Sequence, residues 1–146
     1  MKQEVINWFN KHGFDHENVN QKNSDNEYAL ILASRHAKYN VLAYLIAHQV
    51  DINCLDNYGN NALWAACYAN SEKCSRLLVE NGCDLNYQNT TGNTALSYAA
   101  SCGKDAIVEL LLKLGANSTL QNQDDMTAID LVTSFISLKL LRNANA

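Results

Sequence analysis

Apolar residues along this chain come in short blocks separated by polar, turn-rich stretches, and the blocks return at a fixed interval. A shift of 33 residues aligns YALILAS from Tyr28, NALWAAC from Asn61, TALSYAA from Thr94 and TAIDLVT from Thr127. The same shift superposes DIN at Asp51, DLN at Asp84 and NST at Asn117, and again YLIAHQV at Tyr44, LLVENGC at Leu77 and LLLKLGA at Leu110. A register held over three intervals marks an internal repeat.

Each unit reads as two helices. In the third, the Thr94 hydroxyl is placed to cap a first helix, and Leu96, Ala99 and Ala100 form an apolar stripe at helical spacing. Gly103 ends that helix, because glycine tolerates the left-handed backbone of a helix ending. A second helix over Lys104–Leu114 turns Ile107, Leu110 and Leu111 inward, and Gly115 closes it. One such pair cannot bury its face alone, whereas stacked copies can, so the pattern predicts a solenoid.

These motifs resemble the ankyrin repeat, with its 33-residue period and T-P-L-H-x-A signature. The resemblance covers about residues 23–133. It is carried by Gly59 and Gly92 in the hairpin turn, Leu63 and Leu96 after it, Ala66 and Ala99, and Gly82-Cys83-Asp84-Leu85-Asn86 in place of G-A-D-V-N. It implies an all-α, single-domain solenoid over residues 1–146, with helix-turn-helix units joined by hairpin loops. A half repeat over 1–22, with Val5, Ile6 and Phe9 on its helix, caps the start; its closing loop carries three extra residues, His16-Glu17-Asn18. Full repeats follow at 23–55, 56–88 and 89–121. A truncated repeat over 122–146 caps the end, with Leu138, Leu140 and Leu141 on a stunted second helix.

The chain departs from that signature in a consistent way. Ala29, Ala62, Ala95 and Ala128 replace the Pro, and Ile31, Trp64, Ser97 and Asp130 replace the His. In the resembled family this His hydrogen-bonds between neighbouring loops, so its loss implies a looser loop network. The first full repeat departs furthest, with Gln49 and Ala37 where later copies have glycine.

Composition narrows the class of function. A 47% hydrophobic content excludes a disordered tail, and no apolar run approaches a membrane span. A net charge of -4 with scattered basic residues argues against a nucleic-acid surface. The opening MKQEVINWFN lacks a secretory apolar core. Five cysteines without a CxxC pair point to reduced thiols, and a cytoplasmic location, or secretion into a host cytosol, is expected. Cys67, Cys74 and Cys83 fall on small or apolar motif positions and are read as buried; Cys102 is read as exposed and open to reaction; Cys54 fits either reading. The 20 asparagines are read as a bias of composition.

No catalytic constellation, cofactor motif or metal site is found. His12 and His16 are four apart, but Gly13 interrupts the helix a metal pair would need, and the segment is read as a solvated loop. Asp124-Asp125 is read as a solvated turn. With no such site in the sequence, the resemblance to the ankyrin repeat implies a non-enzymatic module that binds another protein, expected to be monomeric when unbound; a self-associating scaffold is the alternative.

The resemblance places the ligand face on hairpin tips and the exposed side of the first helices. By register this gives Ser24, Asp25, Glu27, Arg35 and His36, then Asn57, Tyr58, Asn60, Tyr68 and Ala69. It continues with Thr90, Thr91, Asn93, Ser101 and Cys102, and ends with Gln123, Asp124 and Met126. Tyr58 and Tyr68 stand out, since tyrosine offers a large contact area with few rotamers to freeze. Trp64 either stands beside them or fills space between repeats. The resemblance to small free-standing proteins of this kind further implies a toxin-neutralising or host-directed binder. It also places Asn53 and Asn86 in the loop setting that asparaginyl hydroxylases modify in animal cells.

Overall fold

In a computed structural model that describes residues 2–145, the 33-residue period becomes a stack of antiparallel helix pairs. A first helix, α1 (Gln3–His12), opens the stack. Then come α2 (Ala29–Arg35) with α3 (Tyr39–Ala47), α4 (Ala62–Tyr68) with α5 (Glu72–Glu80), α6 (Ala95–Ser101) with α7 (Asp105–Lys113), and α8 (Ala128–Leu131) with α9 (Phe135–Ala144). The helices α2, α4, α6 and α8 pack in one row; α1, α3, α5, α7 and α9 form the second row behind them.

The four aligned alanines are the first helical residues of α2, α4, α6 and α8, and all four are buried. Behind them Leu30, Leu63 and Leu96 are fully enclosed, as are Leu42, Leu45, Leu78 and Leu111 from the second row. Helix starts follow the cap chemistry of each copy. Asn61 and Thr94 accept the N–H of Trp64 and Ser97 at 3.2 and 3.1 Å, and Thr127 forms a reciprocal capping box with Asp130. The Tyr28 side chain makes no capping hydrogen bond, and α2 begins without a side-chain cap.

Left-handed backbone recurs on the same register. Residues 26, 59, 92 and 125 all have φ between 60° and 82°, and the helix endings at Ala37 (54°), Asn70 (58°) and Gly103 (67°) are left-handed as well. Gln49 (60°) is left-handed where Gly82 (97°) and Gly115 (98°) stand in the later copies. Stacking therefore imposes the turn geometry even where the residue is not glycine.

The loop network is not loose. Asn23, Asp56, Asn89 and Asn122, again 33 apart, each fold a hairpin by accepting two backbone N–H groups with one side-chain oxygen. Asn89 Oδ1, for example, takes Thr91 at 3.1 Å and Asn93 at 3.0 Å. The spare amides then tie hairpin to hairpin: Asn89 Nδ2 donates to Asn60 Oδ1 and Asn122 Nδ2 to Asn93 Oδ1, both at 3.0 Å. A second ladder runs behind it. Asn20, Asn53 and Asn86 accept the N–H of Asp51, Asp84 and Asn117 at 2.7–2.9 Å. These asparagines tie the loops together without the signature histidine, so their abundance is more than a composition bias.

The terminal repeat is not built as expected. Its second helix, α9, is the full-length partner at 10 residues, and it is α8 that is short, at 4. Helix α8 stops because Thr133 turns to the end of α6, donating its N–H to Ala100 O at 3.3 Å and its hydroxyl to Ser101 O at 3.2 Å. Ser134 then caps α9 three residues ahead of the register, and both Ser134 and Ser137 donate to Asp105 Oδ1, at 2.5 and 2.6 Å. Those two hydroxyls hold the Asp105 carboxyl below its ordinary pKa. At the opposite end, Val5, Trp8 and Phe9 of α1 close the core; Ile6 is half-buried, and Trp8 stacks on Phe14 at 5.5 Å.

Candidate functional site

Hairpin tips and the first-row helices share one face, and three adjoining hollows run along it. The first, about 400 Å³, lies between the first two hairpins and joins Asp25, Glu27, Arg35, Asn57 and Tyr58 with Tyr28 and Asp56. The second, about 320 Å³, shares Arg35, Asp56 and Tyr58 and adds Asn60, Trp64, Tyr68 and Tyr98. The third, about 300 Å³, shares Trp64 and Tyr98 and reaches Asn93, Ser101, Asp124 and Met126. Most residues that the register placed on this face therefore line a continuous surface. His36, Thr90 and Thr91 do not line these hollows, nor do Ser24, Ala69, Cys102 and Gln123.

The centre of the surface is aromatic. Tyr58 on the second hairpin tip is 79% exposed and Tyr68, the last residue of α4, is 63% exposed, both far beyond what packing would leave of such rings. Trp64 combines the two readings open to it. Its ring packs on Tyr98 of the next repeat, with centroids 4.5 Å apart, and its Nε1 is enclosed without a hydrogen-bond partner, while the residue remains half-exposed.

Tyr98 is a site residue the register did not point to. Its only sequence signal is size: it takes the position of Ala65 and Leu32 in the earlier copies. Lys104 supports it from below. The ammonium donates to Tyr68 O at 3.2 Å and Asn70 Oδ1 at 2.7 Å, and stands 5.8 Å from the Tyr98 ring. Burial, and then the neighbouring Cys102 thiol, push the Tyr98 phenol up to about 12, so it stays a neutral donor.

Charge is uneven along the face. Asp25, Glu27 and Asp56 gather in the first hollow against one guanidinium, Arg35, whose Nη1 lies 3.6 Å from Glu27 Oε2. At the far end Asp124 and Met126 are exposed, Asp124 on the hairpin tip.

Elsewhere the chain offers little chemistry. No group of His, Cys, Asp and Glu able to hold a metal occurs among the described residues. His12 is the last residue of α1 and half-buried, packed 4.7 Å from Trp8 and 5.6 Å from His36, and burial followed by His36 lowers its pKa; His16 is exposed. Cys67, Cys74 and Cys83 are buried as expected, Cys54 joins them, and Cys102 is exposed. No described helix is long and apolar enough to cross a membrane.

Comparison with known proteins agrees with the repeat geometry. A family profile described as ankyrin repeats (3 copies) matches residues 2–89 and 30–124. Among solved structures, the ankyrin repeat domain of Bcl-3, described as a unique member of the IkappaB protein family, is similar at 28% sequence identity with a TM-score of 0.81. The match covers 86% of this chain and 55% of that one, so the chain spans little more than half of its relative.

Proposed function

We propose that this chain, which belongs to the ankyrin-repeat family, binds a partner protein through the face of hairpin tips and first helices, with Tyr58 and Tyr68 as its anchors. Ankyrin repeats are generally protein–protein interaction modules, and a fold alone does not say which surface is used. The observation that carries the assignment is the pair of exposed tyrosines beside a half-open Trp64–Tyr98 stack. Aromatic anchors of this kind dominate interface energetics when a partner covers them. The asparagine ladders support the same reading. They fix the hairpin tips before binding, so little ordering entropy remains to be lost on association.

Photo-crosslinking tests it. A benzophenone amino acid at position 58 or 68, introduced into the full chain in its native cell, should give adducts with a heterologous protein. The same group at Glu109, exposed on α7 in the second row, should not. Equal adducts from all three positions, or adducts only between copies of this chain, would contradict the assignment.

A further inference from the structure

The ladder that ties the hairpins is broken at one rung, and the break carries charge. At two steps an asparagine amide donates to the residue 29 positions earlier, Asn89 to Asn60 and Asn122 to Asn93. The rung between the first two full repeats would run from position 56 to position 27. Both residues there are carboxylates. Asp56 Oδ1 is occupied by the N–H groups of Tyr58 and Asn60, at 2.8 and 2.9 Å, and the side chain has no proton to give to Glu27. Asp25 opens into the same hollow, and Arg35 neutralises one of the three. Two negative charges are left at the mouth of a groove whose far wall is Tyr58, Trp64 and Tyr68. The other nearby cations are engaged elsewhere: Lys104 with Tyr68 O and Asn70, and Lys22 over the Tyr28 ring at 4.9 Å.

Resting on the function proposed above, we infer that this groove takes a basic segment of the partner protein. One Lys or Arg side chain lies along the tyrosine faces, with its charge against Asp56 and Asp25, the two carboxylates Arg35 leaves unpaired. Both walls suit that occupant. The aliphatic stem covers apolar ring surface, the cation gains from the ring faces, and the carboxylates supply charge-assisted acceptors. The chain's net charge of -4 favours encounter with such a segment from a distance.

Asp56→Asn is the diagnostic change. It installs the residue that the other three hairpins carry, so it removes the charge while offering the ladder its missing donor. Peptides would be selected on the immobilised full chain from a random phage-displayed library, then titrated against wild type, Asp56→Asn, and Tyr58→Ala with Tyr68→Ala. Selected sequences should place Lys or Arg beside apolar residues. Asp56→Asn should weaken them about fivefold with unfolding temperature unchanged or raised. The tyrosine variant should weaken them further, and added salt should weaken wild type more than Asp56→Asn. Peptides without basic enrichment, or bound equally by Asp56→Asn while still lost with the tyrosines, would overturn this inference and leave the aromatic face standing. Peptides indifferent to both changes would count against the face itself, and failure to select any peptide would overturn the inference.

Discussion

Asn89 reaches back across the repeat boundary to donate its Nδ2 to Asn60 Oδ1 at 3.0 Å, while its own Oδ1 accepts two N–H groups within the hairpin. One side chain thus folds its turn and ties it to the neighbouring turn. Asn89→Ala removes both functions and leaves backbone donors unpaired, so it should destabilise by about 2–3 kcal/mol. Asn89→Asp keeps the acceptor and loses the donor, and should cost about 1 kcal/mol. Urea unfolding at neutral pH would check the order; equal losses would place all the energy inside the hairpin.

Restoring the signature proline should stabilise. The residues before the four alanines are extended, with ψ from 139° to 178°, as a following proline requires. The alanine N–H groups lie at the first helical position, where no intrahelical acceptor exists. Ala95→Pro should therefore raise stability by about 0.4–1 kcal/mol by restricting the unfolded chain. Calorimetry should show a rise of a few degrees, and a fall would mean that the ring clashes with the buried stack.

Gln49 and Ala37 hold left-handed backbone that later copies give to glycine or asparagine. Gln49→Gly and Ala37→Gly should each gain roughly 0.5–1 kcal/mol, the left-handed penalty outweighing the added entropy of the unfolded chain. Hydrogen exchange in α3 should slow in both variants, since the first full repeat carries both strained endings.

How much of this was legible in the residues follows from what repeats. Stacking forces every copy into one backbone, so the period, the Leu63 and Leu96 core positions and the Gly103 and Gly115 endings could be read directly. The asparagine ladders could not, because their partners lie 29 or 31 residues away and asparagine in a turn looks like ordinary loop composition. The expected stunting of the last helix fails for a related reason. Leu138, Leu140 and Leu141 suggest a stunted end, but it is Thr133, by bonding the carbonyls at the end of α6, that shortens the first helix instead. Of the face, Tyr58 and Tyr68 were visible by register. Tyr98 was hidden among small stacking residues, and Asp56 was hidden because its role is the loss of a donor.

The thiols give a pH dependence with a definite sign. Burial pushes Cys54 and Cys67 up to about 12 and Cys83 to about 11, from an ordinary value of 9.0. The folded chain therefore binds these protons more tightly than the unfolded chain. Their contribution is complete below about pH 9 and is lost as pH rises from there toward 11–12. Stability should fall above pH 9 by roughly 1.4 kcal/mol per thiol per pH unit at most. Urea midpoints at neutral and alkaline pH would check it, and Cys67→Ala should flatten the decline. In the native chain a thiol reagent should label Cys102 rapidly and the four buried cysteines only on unfolding.

The most direct test of the central claim is calorimetric titration of the crosslinked partner, once identified, against four forms of the full chain: wild type, Tyr58→Ala, Tyr68→Ala and Glu109→Ala. The account predicts that each tyrosine change weakens binding about tenfold or more, at 1.4 kcal/mol per decade, with unfolding temperature preserved and Glu109→Ala silent. Unaltered affinity in both tyrosine variants, or an equal loss from Glu109→Ala, would contradict it.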